Sequence, residues 1–200
     1  MTILNYVSGS VFLLYGIYLS IFLGKPHFYA FFSIGAFLVL LKFYNSIAKK
    51  PLFNKWKLKQ YSIFSAILIL SCIIIDKLGL YLGYWVYPYF STYFDEFIKY
   101  IFEWGVAFLY LMLSLMIGVE IFSKLKISKS VSVLLSLIIF VTIAGLFTEY
   151  INFFADSWKV LSMPMTNYKI GNYFLVFQTA GYWLMAIIPF IIYKFTDEIR

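Results

Sequence analysis

Apolar residues fall in six long runs along the chain, at about 4–23, 28–47, 61–82, 99–122, 130–154 and 171–193. Each is about 20 residues long, the length an α-helix needs to cross the hydrocarbon core of a bilayer. Charged residues gather in the gaps. Lys25-Pro26-His27 marks a tight turn between the first two runs. The next gap holds Lys49, Lys50, Lys55, Lys57 and Lys59, and the gap after the fourth run holds Lys124, Lys126 and Lys129. The tail adds Lys194 and Arg200, while Lys25, Lys99, Lys159 and Lys169 are spread over the alternate gaps. Positive residues collect in cytoplasmic loops. The pattern therefore predicts an all-α polytopic membrane bundle of about six transmembrane helices, with both termini cytoplasmic. It forms one integral membrane domain over 1–200, with an N-terminal hairpin at 1–47 and two further hairpins at 61–122 and 130–193.

Composition supports this and excludes several functions. Charged residues make up 12% of the chain and hydrophobic ones 63%. A soluble domain carries about 25% charged residues, so half the usual charge is missing and no separate soluble domain fits. The net charge of +7 would suggest nucleic acid only on a basic soluble face. Here the lysines lie between apolar runs, so no nucleic-acid partner is expected. Cys72 is the single cysteine and His27 the single histidine, which excludes an intrachain disulfide and leaves no metal-ligand spacing. No phosphate-cradling glycine loop or nucleophile elbow occurs. Any cofactor requirement is left open, as is association into a homo- or hetero-oligomer. Residues 1–5 hold no Lys or Arg and no small-x-small site follows the first run, so that run reads as a retained helix.

Two gaps are rich in aromatics: GYWVYPYFSTYFDEFI at 83–98 and ADSWKVLSMPMTNYKI at 155–170. One reading is an interfacial aromatic belt. The other is a pair of loops that dip back and lid a cavity, since non-helical backbone at depth needs protein or a wet cavity to satisfy it.

The landmarks recur in order. Asp76 precedes Trp85 by nine positions, and Glu149 precedes Trp158 by nine. Pro88 or Pro164 follows, and then a helix with a polar residue in its first half, Glu103 or Gln178. Both hairpins would run in the same direction, which makes the repeat parallel. Helical spacing puts Ser62, Ser65, Ile69, Cys72 and Asp76 on one stripe, and Glu103, Ala107, Tyr110, Ser114 and Gly118 on another. Thr142, Gly145, Glu149, Asn152 and Asp156 form a third, and Gly171, Phe174, Gln178, Gly181 and Met185 a weaker fourth. Small and polar stripes are packing faces in membrane helices. Asp76, Glu103, Glu149, Asn152 and Gln178 are thus expected to meet in one cavity, capped by Trp85 and Trp158. A carboxylate in hydrocarbon costs at least a few kcal/mol, so one or more is expected to hold its proton and act as a donor. Lys77 is expected to snorkel to the interface, and Asp95 and Glu96 to be solvated. Mutual hydrogen bonding as structural glue is the competing reading of the cluster.

The stretch from Asp76 to Trp104 resembles the lycopene cyclase domain of the small, heterodimer-type carotenoid cyclases. That domain has an acidic residue ending a helix, about nine residues to a Trp–aromatic–Pro segment, and a Pro-x-Glu-Glu motif opening the next helix. Asp76, Trp85, Tyr87 and Pro88 match the first part, and Glu103 falls on the first motif glutamate. Ile101 stands in place of the proline and Trp104 in place of the second glutamate. The second half is similar in outline through Glu149, Asn152, Trp158 and Gln178.

The resemblance implies a cyclase, hydratase or isomerase that protonates a long apolar isoprenoid or carotenoid in the membrane. Asp76, Glu103 and Glu149 would be the catalytic carboxyls. Trp85, Tyr87, Trp104, Tyr110, Asn152, Trp158 and Gln178 would line the substrate site. A non-catalytic lipid-binding or assembly subunit is the alternative, and a small proton-coupled transporter a third.

Overall fold

The computed structural model describes residues 4–162, 169–170 and 173–199. The apolar runs form six helices: α1 (Leu4–Ile21), α2 (Phe28–Ile47), α3 (Leu58–Tyr81), α4 (Tyr93–Lys124), α5 (Lys129–Ala155) and α6 (Leu175–Glu198). Five are long and apolar enough to cross a membrane, and the apolar part of α1, Tyr6–Ile21, is shorter. The chain is a multi-pass helical membrane protein.

Helix ends depart from the apolar runs where polar caps decide them. The fourth run suggests a start at 99, yet α4 begins at Tyr93. The Thr92 hydroxyl accepts from the Asp95 amide at 3.1 Å, and the Asp95 carboxylate accepts from the Thr92 amide at 2.9 Å. This reciprocal cap satisfies orphan donors of the first turn, so Asp95 is a capping residue rather than a free loop charge. In α3 the Gln60 side chain accepts from the Lys57 amide at 2.9 Å and starts the helix at Leu58. The sixth run begins later than expected, at Leu175, after a short antiparallel pair of β3 (Lys169–Ile170) and β4 (Tyr173–Phe174). Pro164 and Gly171 lie outside the described residues.

Helix α4 is the hub. In its most apolar window 67% of residues are buried, against 28–33% in the other four spans. One apolar cluster joins Phe28, Tyr29 and Phe32 of α2 to Tyr110, Ile151 and Tyr182. A second joins Trp56, Phe64 and Cys72 to Phe108, Met112 and Tyr193. Helices α1 and α2 touch backbone to backbone. A Cβ on Gly35 would strike the backbone of Leu13, and one on Gly16 the backbone of Phe32. Such close approach is how membrane helices gain packing energy without a water-driven hydrophobic effect.

At the lysine-rich end the 48–57 connection is fastened to α6. The Trp56 indole donates to Asp197 at 2.8 Å, and Lys50 pairs with the same carboxylate at 3.0 Å. At the opposite end a two-residue ribbon, β1 (Trp85–Val86) with β2 (Lys159–Val160), crosses between the α3–α4 and α5–α6 connections. It pairs Trp85 with Val160 and Val86 with Lys159. Val86 and Lys159 are 73 positions apart, as are Asp76 and Glu149, and Trp85 and Trp158. Partners that also share this spacing put a local twofold between them.

Candidate functional site

Two carboxylates, one on α3 and one on α5, each gather a tryptophan from nine positions downstream. On the first, Asp76 is fully buried and accepts from four donors. The Trp85 indole and the Tyr87 hydroxyl reach one oxygen at 3.0 and 2.7 Å. The Lys99 ammonium and the Tyr100 hydroxyl reach the other at 2.9 and 2.8 Å. Lys99 is 2% exposed and lies 4.3 Å from the Tyr87 ring centre and 4.6 Å from that of Tyr100. An ion pair removed from water needs such complete hydrogen bonding to offset its desolvation. Burial, and then the Asp76 charge, push the Tyr87 phenol well above its ordinary value, which keeps it a donor.

This arrangement corrects two expectations. Lys99 is not a loop lysine but half of a buried pair. Asp76 is not a spare acid, because every direction around its carboxylate already holds a donor. Lys77, adjacent in sequence, turns away and pairs with Glu96 at 2.6 Å on the exposed surface, where both side chains stay accessible.

The second carboxylate is differently placed. Glu149 accepts from the Tyr182 hydroxyl at 2.7 Å and the Trp158 indole at 3.3 Å. Gln178 also hydrogen-bonds it. No cation pairs with it among the described residues. Glycines make room for both knots. A Cβ on Gly79 would overlap the Trp85 ring, and one on Gly145 would meet the Tyr182 ring at 2.6 Å.

Between the knots lies a cavity of about 380 Å³, within the ~300–1,000 Å³ of ordinary ligand sites. Trp85, Tyr87 and Trp104 form one wall, with Trp85 and Trp104 6.0 Å apart. Tyr29, Trp158, Tyr182, Gln178 and Glu149 form the other, and Tyr29 and Trp158 lie 4.8 Å apart. The flank is made by Leu78 and Leu82 from the α3 end and Leu184 from α6. These three leucines are 54%, 45% and 57% exposed. The cavity thus abuts the lipid-facing side of the bundle, between α3 and α6.

Of the five polar groups expected to converge, Glu149 and Gln178 line the cavity and the other three do not. Asp76 stands behind the Trp85–Tyr87 wall. Asn152 instead shapes the turn after α5. Its amide donates to the Trp158 carbonyl at 2.9 Å and its carbonyl accepts from the Ser157 amide at 3.0 Å. It positions Trp158 rather than meeting a ligand. Tyr110 is buried and shares hydroxyl bonds with Tyr29 at 3.1 Å and Thr148 at 2.7 Å, so it anchors a wall residue from behind. Glu103 is 2% exposed, and its Oε1 has no partner among the described residues. Trp85, Tyr87 and Trp158, from the two aromatic connections, and Trp104, from α4, do line the cavity.

The α4 contribution rests on an irregular turn. Lys99–Gly105 is wound as a π-helix and carries Lys99, Tyr100, Glu103 and Trp104. Such wide turns change which side chains face inward and recur at functional sites. Heptad or 3.6-residue spacing cannot foresee them. Lys99, Tyr100, Tyr29 and Tyr182 escaped the sequence reading. One signal existed for Lys99, as the single lysine between Lys77 and Lys124.

Gly79→Ala is expected to lift Trp85 off α3 and break its bond to Asp76, at a cost of about 1–3 kcal/mol. Gly181→Ala is the control, because its Cβ would meet nothing within 4 Å. Unfolding midpoints in maltoside micelles should fall for the first and stay close to wild type for the second.

No protein-family model, curated protein or solved structure matches this chain.

Proposed function

We propose that this membrane protein holds the end of a long apolar, isoprenoid-type lipid in the aromatic cavity and acts on it through Glu149. The observation that carries the reading is that Glu149 is the one carboxyl among the described cavity-lining residues. A space of about 380 Å³ has room for about a dozen water-sized groups at ~30 Å³ each. It accommodates the end of a long chain, whose remainder stays in the bilayer beyond the exposed Leu78–Leu184 flank. The resemblance to lycopene cyclase domains supports isoprenoids as the chain type. It also supports protonation of a terminal double bond, with the proton returned after rearrangement, which is isomerase or cyclase chemistry without redox change. In this reading Glu149 is the acid, and Asp76 positions Trp85 and Tyr87. The lysine-rich end, with both termini, faces the cytoplasm by the distribution of positive charge, so the cavity belongs to the outer half of the membrane.

A non-catalytic lipid-binding role is favoured by one observation: Asp76 is held by Lys99 and cannot serve as a second acid. Both readings share a test. Mass spectrometry of the purified protein should find an apolar lipid that Gly181→Leu, which fills open space in the cavity, displaces. Pigments and polyprenyl lipids extracted from cells with and without the gene should differ only if the protein is an enzyme. Absence of any retained lipid, with or without Gly181→Leu, would reject both.

A further inference from the structure

The cavity has an electrostatic character beyond being apolar. It is lined by Trp85, Tyr87 and Trp104 on one side and by Tyr29, Trp158 and Tyr182 on the other. Ring faces carry negative potential and attract cations. The carboxyl among them is Glu149. No lysine or arginine lines the space among the described residues. The nearby Lys99 lies behind the wall and is neutralised by Asp76 at 2.9 Å. Aromatic residues around one carboxyl group, with no lysine or arginine among the described lining, suit an alkylated ammonium group.

We infer that the site selects amphiphiles by head-group charge, taking a trimethylammonium-headed chain in preference to a neutral isostere and excluding phosphate or sulfate heads. This rests on the proposed lipid-end reading, in which Glu149 holds its proton in the empty site, and adds that a cationic head group takes the place of that proton where a neutral one cannot. The head group would sit between Glu149 and the Trp85–Trp104 wall, with its chain leaving past Leu78 and Leu184. A phosphate in the same place would lie among aromatic residues and the Glu149 carboxyl group with no cation to balance it, which is costly in a dry site. The molecule taken up would therefore have lost, or never carried, a phosphate or diphosphate at this end.

The test uses the full chain in nonionic maltoside micelles. Probes are dodecyltrimethylammonium, an alkane of the same length ending in a tert-butyl group, and dodecyl phosphate. Binding is read by tryptophan fluorescence and corrected for micelle partition. The ammonium probe is expected to bind at least about tenfold more tightly than the tert-butyl probe, a difference of ~1.4 kcal/mol, and the phosphate probe not at all. Glu149→Gln, which keeps an oxygen for Trp158 and Tyr182, should abolish most of the preference while leaving tert-butyl binding in place. Gly181→Leu should remove binding of both. Equal affinity for ammonium and tert-butyl probes, both lost in Gly181→Leu, overturns the charge preference and leaves the lipid-end reading standing. Failure of every probe to bind, or binding indifferent to Gly181→Leu, overturns both. Tight binding of the phosphate probe overturns the inference alone.

Discussion

Lys99→Met is expected to destabilise the folded protein by about 3–5 kcal/mol, because it leaves a charged Asp76 without its cation at a fully buried position. Methionine keeps most of the length and none of the charge. Three neutral donors remain on Asp76, from Trp85, Tyr87 and Tyr100, and cannot replace the missing charge. Adding Asp76→Asn to the same protein should recover a large part of the loss, since a neutral amide needs no counter-ion. The measurement is equilibrium unfolding in mixed micelles, run as a double-mutant cycle. A Lys99→Met protein as stable as wild type would mean that the pair is not the clasp between α3 and α4 described above. The cycle also separates charge from shape. Replacing a whole buried pair can be neutral, whereas removing one partner is not.

The second large effect concerns chemistry rather than folding. Glu149→Gln should lower turnover of the apolar substrate by about 10²–10⁴-fold, the range attributable to a general acid. Folding should survive, because the glutamine carbonyl can still accept from Tyr182 and Trp158. Asp76→Asn should behave in the opposite way, with lower stability and less change in turnover per folded molecule. Product per folded protein, from lipid extracts and from reconstituted protein, distinguishes the two. Full turnover in Glu149→Gln would assign the chemistry elsewhere, and no turnover in wild type would leave the lipid-binding reading. The contrast is sharp because both carboxyls precede a tryptophan by nine positions in the sequence yet meet different partners in the fold.

That contrast marks how far the sequence carried. The helices were legible because bilayer thickness and the loss of backbone hydrogen bonding in lipid force long apolar runs into helices. The nine-residue spacing of Asp76 to Trp85 and of Glu149 to Trp158 was also legible, and in both cases the indole reaches its carboxylate. Trp85, Tyr87, Trp104, Trp158 and Gln178, expected at a substrate site, do line the cavity. Polar stripes pointed correctly to buried faces for Asp76, Glu103 and Asn152. They could not say which interior each would meet.

Those assignments needed the tertiary structure, because a stripe defines a direction around one helix and a site needs several helices at once. Lys99 looked like a loop charge until the Thr92 cap and the π-wound turn put it inside, 2.9 Å from Asp76. Asn152 looked like a cavity residue until the turn after α5 took up both ends of its amide. Tyr29 and Tyr182 lie on helices whose own patterns gave no reason to single them out, yet they complete the wall around Glu149. Apolar runs of bilayer length decided that this chain crosses a membrane, since that depends on composition and length alone. Which carboxyl is neutralised and which faces the cavity depended on where one lysine came to rest. Electrostatic pairing acts over a few ångströms in space and leaves no period along the chain.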